Sequence, residues 1–364
     1  MPAEPTRVAC FVTPHGFGHA ARAAAALEAL GARRALAVEL FTAVPRWFFA
    51  DSLSVPFEYH EVRTDVGLAQ RDALDEDLEA TEGALDEQLP WPAALVEGLL
   101  ARVRAAGCRA VVCDIAPLGI AVARAAGLPA ALIENFTWDW IYDGYGARAP
   151  GLRRHATELA RWFAAADLRL QTEPICRPWP GAVRTAPVAR LPRRGREEVR
   201  AELGIGPGQR AVLVTMGGIP WSYEELVSGE GPQLPAGVVL VVPGGAPEPR
   251  SLPWARLLPF HSSLYHPDLV AAADAVVGKL GYSTLAECWG SGVPFGFVPR
   301  PAFPESPVLA AALERARAGV AVEVERLRSA RWDWLDEVLA MPRVAAGRPR
   351  GNGAAAAALD GWLG

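Results

Sequence analysis

"RVACFVTPHGFGHAARAAAALEAL", residues 7–30, joins an apolar run to an alanine-rich run through a loop holding His15, Gly16, Gly18 and His19. The first six residues lack the alternation of a half-solvated strand, as expected for a parallel strand covered on both faces. Ala20–Leu30 reads as helix. A plain strand-to-helix turn needs one glycine and a cap. Two glycines let the backbone turn tightly and approach a ligand, and a helix start offers free N–H groups to an anion. The fragment therefore predicts a βα unit whose connecting loop belongs to a site.

The same rhythm recurs along the chain: "LAVELFT" (36–42), a helix around Pro90–Ala106, "AVVCDI" (110–115), a helix Gly119–Ala126, then "PAALIEN" (129–135). A second cycle runs through "RAVLVTMGG" (210–218), "VVLVVPGG" (238–245), "ARLLPF" (255–260), "AVVGKL" (275–280) and "PFGFVP" (294–299). Strands alternating with helices build an open parallel α/β sheet. Between the cycles lies "TAPVARLPRRGREEVRAELGIGPGQ" (185–209), rich in Pro, Gly and Arg, with "REEVRAELGI" as the first helix beyond it. The fold class predicted is thus α/β, with two Rossmann-like domains, 1–188 and 189–364, facing across a cleft. A length of 364 residues fits two cores better than one.

Composition narrows the function classes. With 51% hydrophobic and 21% charged residues the chain is of globular type. A net charge of −5 argues against a nucleic-acid or polybasic membrane partner, which would need clustered Lys and Arg. Cys10, Cys108, Cys113, Cys176 and Cys288 form no CxxC pair and sit mostly in apolar runs, as buried reduced thiols do. No basic leader with a long apolar core opens the chain, and no apolar run approaches the roughly 20 residues of a membrane span. A cytoplasmic protein without a transmembrane segment is expected. The acidic stretch "DALDEDLEATEGALDEQ" (72–88) reads as a solvated helix.

In open α/β sheets ligands sit beyond the carboxyl ends of the strands, so the loops after strands carry the chemistry. The first loop is G-x-G, but Ala21 stands where a dinucleotide fingerprint needs its third glycine. His19 begins the helix, where the dipole favours the uncharged imidazole. "GKLGYSTLAECWGSGVP" (278–294) takes a strand into Gly281 and then Ser283 and Thr284 at a helix start, which suits a diphosphate, although it lacks P-loop spacing. Glu287, one turn on, is placed to chelate ribose hydroxyls. Gly217 and Gly218 end a strand opposite that loop. "PRPAFPES" (299–306) presents Glu305 and Ser306 in a proline-stiffened loop. In the first half, "CDIAP" ends a strand with Asp114, and "ENFTWDWIY" ends another with Asn135, Thr137, Trp138 and Asp139. Mixed aromatic and polar groups suit a sugar or amphipathic acceptor, and core packing suits the tryptophans equally. Lys279 is a lone lysine among arginines in this region.

These patterns resemble a known family. "HGFGHAAR", "DALDEDLEAT", "CDIAP", "NFTWDWIY", "GKLGYSTLAE", "PFGFVPRPAFPES" and the terminal "GNGAA" resemble, in order, the N-terminal, non-kinase half of plant L-arabinokinases and its free-standing bacterial relatives. No glycine-serine loop of the GHMP kinases follows, so sugar phosphorylation is not expected. More distantly the chain is similar to two-domain GT-B glycosyltransferases, including the peptidoglycan N-acetylglucosaminyltransferase. The resemblance implies a nucleotide-sugar donor, UDP- or dTDP-linked, in the second domain and a hydroxyl acceptor in the first. Gly217, Gly218, Gly281, Ser283 and Thr284 would face the diphosphate, Glu287 the ribose and Glu305 the donor sugar. His15, Gly16, Gly18, Asn135, Thr137 and Trp138 would line the acceptor or sugar side. The helix in "GNGAAAAALDGWL" (351–363) would cross back onto the first domain.

The resemblance also implies an inverting transfer, with His19 as base, backed by Asp114 or Asp139. Neither a cofactor nor a protein-held metal is expected, and no DxD-like pair ends a strand. "GFGHAAR" also matches the GxGHxxR loop of nucleotide-sugar hydrolases in the pseudaminic acid pathway, with Gly16, Gly18, His19 and Arg22 in place. Hydrolysis, with His19 activating water, is one alternative. A non-catalytic sugar-nucleotide binding module is another.

Overall fold

A computed structural model of the chain describes residues 4–218, 221–227 and 230–364. The first sheet contains β1 (Thr6–Val12), β2 (Leu36–Thr42), β3 (Phe57–Glu61), β4 (Ala110–Asp114), β5 (Ala130–Glu134), β6 (Leu168–Thr172) and β7 (Val183–Thr185). They lie in the order β3-β2-β1-β4-β5-β6-β7, all parallel. The second sheet contains β8 (Arg210–Thr215), β9 (Val238–Pro243), β10 (Arg250–Ser251), β11 (Ala255–Leu258), β12 (Ala275–Lys279), β13 (Phe295–Val298) and β14 (Gly319–Ala321). Its order is β10-β11-β9-β8-β12-β13-β14, parallel except for the short β10–β11 pair. Each sheet is doubly wound, with strand order reversing between β1 and β4 in one and between β8 and β12 in the other. Those reversals leave open crevices at the carboxyl ends of the strands.

Local sequence explains the elements. In β2 and β4 every residue is buried, so both faces meet helices and apolar alternation is lost. The helix Gly18–Gly31 is mostly alanine along its buried length, which favours helix and lets neighbours approach closely. Gly127 and Gly292 end their helices at φ 69° and 65°, the left-handed cap for which glycine is suited.

The helix Asn352–Leu363 lies not on the second sheet but against Gly18–Gly31 and the end of the first sheet, with Ala355 and Leu359 in the first-domain core. Residues 189–364 are therefore contiguous in sequence but not in space. Among the described residues no helix is long and apolar enough to cross a membrane.

The acidic stretch 72–88 departs from expectation. Helix runs only over Leu78–Gln88, with Asp77 capping the Ala80 N–H. Ahead of it Asp72 accepts the N–H groups of Leu74 and Asp75, so aspartate turn chemistry displaces helix. Ala73 is fully buried and packs into the core of the second domain, and Glu76 is buried beside Arg148. The stretch clasps the second domain rather than presenting only a wet face.

The loop before it carries Asp65, which is buried and accepts the Thr13 hydroxyl at 2.5 Å. Burial raises its carboxyl to about 7. A carboxyl raised in the folded state is destabilising where only the unfolded chain would ionise freely, so the penalty builds as pH rises from about 4 to 7. Asp65→Asn should therefore melt above wild type at pH 8, with the gain vanishing near pH 4. A gain independent of pH would contradict the assignment.

Candidate functional site

The loops at both strand-order reversals meet in one cleft. It is lined from the first domain by residues including His15, Gly16, Gly18 and His19, and from the second by residues including Gly217, Gly218, Gly281, Ser283, Thr284, Glu287 and Glu305. Two helices begin there. Gly18–Gly31 and Tyr282–Ser291 present their N-termini to each other, so close that a Cβ on Gly18 would lie 3.7 Å from the Ser283 hydroxyl. Free N–H groups and two dipole ends make this a place that attracts an anion. Gly16 adopts φ 69°, which a β-carbon disfavours. A Cβ on Gly218 would come within 2.5 Å of the Phe17 ring, so the second domain closes on the first-domain loop only through a glycine.

A buried polar chain runs beneath His19. Its Nδ1 lies 3.2 Å from Asp114 Oδ1. An Arg22 terminal nitrogen lies 3.3 Å from the same Nδ1, but that nitrogen has Asp114 as a closer acceptor at 2.6 Å. Since an ionised carboxylate only accepts, a proton on Nδ1 is the tautomer that serves Asp114, and it leaves Nε2 with a free lone pair. Arg22, three residues on and on the same helix face, donates Nε to Asp114 Oδ2 at 2.8 Å and a terminal nitrogen to Oδ1 at 2.6 Å. Burial would raise the Asp114 carboxyl, and the Arg22 charge with its hydrogen bonds outweighs that and holds it below the ordinary carboxylate range. The other terminal nitrogen of Arg22 reaches Asn135 Oδ1 at 2.6 Å, and Asn135 in turn donates to Glu305 Oε1 at 2.6 Å across the domains. Ile115, next to Asp114, is held at φ 39°, a strained setting for a β-branched residue.

Several expected residues fall elsewhere. Asp139 does not back His19: its carboxylate pairs with Arg177 at 2.6 Å. Thr137 accepts from the same guanidinium. Trp138 is fully buried, stacked on Tyr142 and edge-on to His15 at 5.1 Å, so it buttresses the histidine loop instead of offering a face to an acceptor. Phe136 and Phe303 are the aromatics that line this part of the cleft. Asn135 is buried behind the wall. Glu287 lines the cleft, but both its oxygens are engaged, by Arg190 at 2.9 Å and by His266 Nδ1 at 2.8 Å.

Arg190, His266 and Arg300 were not among the expected site residues. Arg22 entered only through the hydrolase-like loop pattern and Lys279 only as a lone lysine, neither with a role in the transfer. The spacing of His19 and Arg22 placed both on one helix face, a signal that was there to read. Arg190 and His266 had none, because their role follows from strand order.

A hydrophobic seam closes one side. Phe17 packs on Phe48 at 4.7 Å and on Phe260 of the second domain at 5.5 Å, while Trp47 stacks on His261 at 4.1 Å.

No protein-family model matches the chain. Over 332 residues it is 31% identical to L-arabinokinase from Arabidopsis thaliana, a match that covers 89% of this chain and 31% of that protein. Over 245 residues it is 28% identical to the uncharacterized glycosyltransferase MK0977 from Methanopyrus kandleri, covering 62% of this chain and 66% of that protein. The chain thus spans about a third of the first relative. Among solved structures it superposes on a UDP-glucosyltransferase from Polygonum tinctorium capable of glucosylating indoxyl with a TM-score of 0.60 at 15% identity, covering 100% of this chain and 99% of that one. The glycosyltransferase VinC, solved in complex with dTDP, gives a TM-score of 0.57 at 16% identity, covering 98% and 95%. These likenesses show the fold: two Rossmann-like domains in the GT-B arrangement.

The Arg22–Asp114 pair is fully buried, so removing one partner strands the other charge. Arg22→Met should lose about 3–5 kcal/mol in urea unfolding, and Arg22→Met/Asp114→Asn should recover part of it. Loss within about 0.5 kcal/mol of wild type, the range of an ordinary surface substitution, would refute the pairing.

Proposed function

We propose that the chain is a glycosyltransferase that moves a sugar from a nucleoside-diphosphate donor, UDP- or dTDP-linked, to a hydroxyl acceptor with inversion. One observation carries this reading: an imidazole whose Nδ1 is fixed by a buried carboxylate stands in the same cleft as two converging helix N-termini. The first can take a proton and the second can receive an anion, which are the two demands of the reaction. His19 Nε2 removes the acceptor proton as the acceptor oxygen bonds to the anomeric carbon. The carbon–oxygen bond to the diphosphate breaks with its electron pair going to the phosphate oxygen. The new charge meets the N–H groups of the Tyr282–Ser291 helix start and the Ser283 and Thr284 hydroxyls, so a protein-held metal has no required part.

Glu305 is assigned to the donor sugar, with Asn135 fixing its carboxylate. Glu287, held by Arg190 and His266, is assigned to the ribose. His15, Gly16 and Gly18 form the acceptor-side rim. Burial, Arg300, His19 and Lys279 together keep His15 uncharged far below the ordinary histidine range, so it can serve as a neutral hydrogen-bonding partner. The likeness to UDP- and dTDP-using structures supports the choice of donors, and the relatedness to a protein called a glycosyltransferase supports the reaction class.

The test begins with melting curves in UDP, dTDP, GDP, ADP and CDP, each without added metal. At about 100 times its dissociation constant the preferred diphosphate should add about 2.7 kcal/mol to stability. No shift from any of them would sink the reading. His19→Ala should keep that shift while turnover falls about 10²–10⁴-fold. Fast release of nucleoside diphosphate from the donor without acceptor would instead point to hydrolysis, and binding without any release to a binding module.

A further inference from the structure

Lys279 is the only lysine among the 36 Lys and Arg residues of the chain. It ends β12, two residues ahead of the Gly281 cap of the helix Tyr282–Ser291, and it lines the cleft. Its ammonium lies 3.9 Å from where a side chain on Gly217 would begin. The amine therefore sits between the two loops assigned to the diphosphate.

The groups that bear on it are few. From the loop after β13 come Arg300 and Glu305, and from the loop after β1 comes His15. Glu305 gives one oxygen to Asn135 and forms no salt bridge with Lys279. Arg300 is 5% exposed, lies 3.9 Å over the Phe303 ring, and leaves its Nε without a hydrogen-bond partner among the described residues. Two cations thus face one carboxylate inside a desolvated wall. Buried charge without a partner is strongly disfavoured. Burial and then the Arg300 charge push the Lys279 amine down to about 7.

We propose that Lys279 is the catalytic cation that receives the donor's diphosphate, and that ligand binding protonates it. This rests on the nucleotide-sugar reading of the cleft. The proton enters from solvent when the diphosphate binds. During transfer Lys279 stays an ammonium beside the leaving oxygen, whose electron pair it stabilises, and deprotonates on product release. An amine uncharged above about pH 7 in the free protein and charged in the complex makes affinity fall as pH rises. The last phosphate proton of UDP is lost near pH 6, so titration between about pH 7.5 and 8.5, below the ionisation of the uracil N3–H, reports on the protein.

The experiment is calorimetric titration of UDP into wild type, Lys279→Arg and Lys279→Met, at about pH 8, in two buffers of different ionisation enthalpy. Wild type should take up close to one proton per UDP, and affinity should fall nearly tenfold per pH unit above about pH 7.5. Lys279→Arg, always charged, should bind with no uptake and a flat pH profile. Lys279→Met should bind about 10–100-fold more weakly, as expected for a lost charge-assisted hydrogen bond. It should melt at or above wild type, since a half-buried amine crowded by the Arg300 charge is gone, so weak binding will not reflect unfolding. Wild-type affinity in Lys279→Met, or uptake that persists in Lys279→Arg, would overturn the assignment of Lys279 while leaving the donor reading intact. Failure of UDP and of the other four diphosphates to bind wild type would overturn both.

Discussion

The rest of the site depends on the buried contact between Arg22 and Asp114. A guanidinium offers five N–H donors in a rigid fork, and burying it is tolerable only if that fork is met. Here three of its donors go to Asp114 and Asn135, and the cation also lies 4.8 Å over the ring of Tyr282 in the second domain. The same carboxylate that answers Arg22 also fixes the His19 tautomer. One residue therefore compensates a buried charge, sets the proton position of the proposed base and reaches toward the facing domain. Such a network is worth more intact than the sum of its parts, because each lost bond strands a neighbour in low dielectric.

Closure of the cleft follows from complementary chemistry on its two sides. Apolar contact at Phe17, Phe48 and Phe260 supplies area without direction. Polar bridges supply direction: Asn135 to Glu305, Arg190 to both Glu287 and Ser52, and the Val188 N–H to the Tyr282 hydroxyl. The helix Asn352–Leu363 adds a third tie by returning to the first-domain core. Two helix N-termini pushed together would repel through their dipoles, and Arg300 adds to the excess of positive potential. That arrangement is less favourable when empty than with an anion between, which is the electrostatic basis of the donor site proposed above.

What the sequence made legible was local. Apolar runs of strand length, interrupted by glycine turns and alanine-rich helices, specify the two parallel sheets, because burial on both faces erases alternation. His19 at a helix start, Ser283 and Thr284 at another, and the paired glycines at 217 and 218 follow from rules spanning a few residues. Where local chemistry had two outcomes, the wrong one was chosen: Asp72 and Asp77 turn and cap the chain before the helix begins. Trp138 shows the same limit, since an aromatic beside polar residues fits a binding face and a core equally well.

The sequence by itself determined that there are two doubly wound sheets and which loops line the cleft, because hydrophobic periodicity and glycine placement act within single elements. Only the tertiary structure decided that Asp114 and not Asp139 serves His19, that Arg22 joins them, and that Glu287 is held by Arg190 and His266. The physical reason is separation along the chain. Asp114 lies 95 residues from His19, and Asn135 lies 170 from Glu305. Contacts of that span are set by the order in which strands pair and by how two sheets face each other, and no window of sequence contains either.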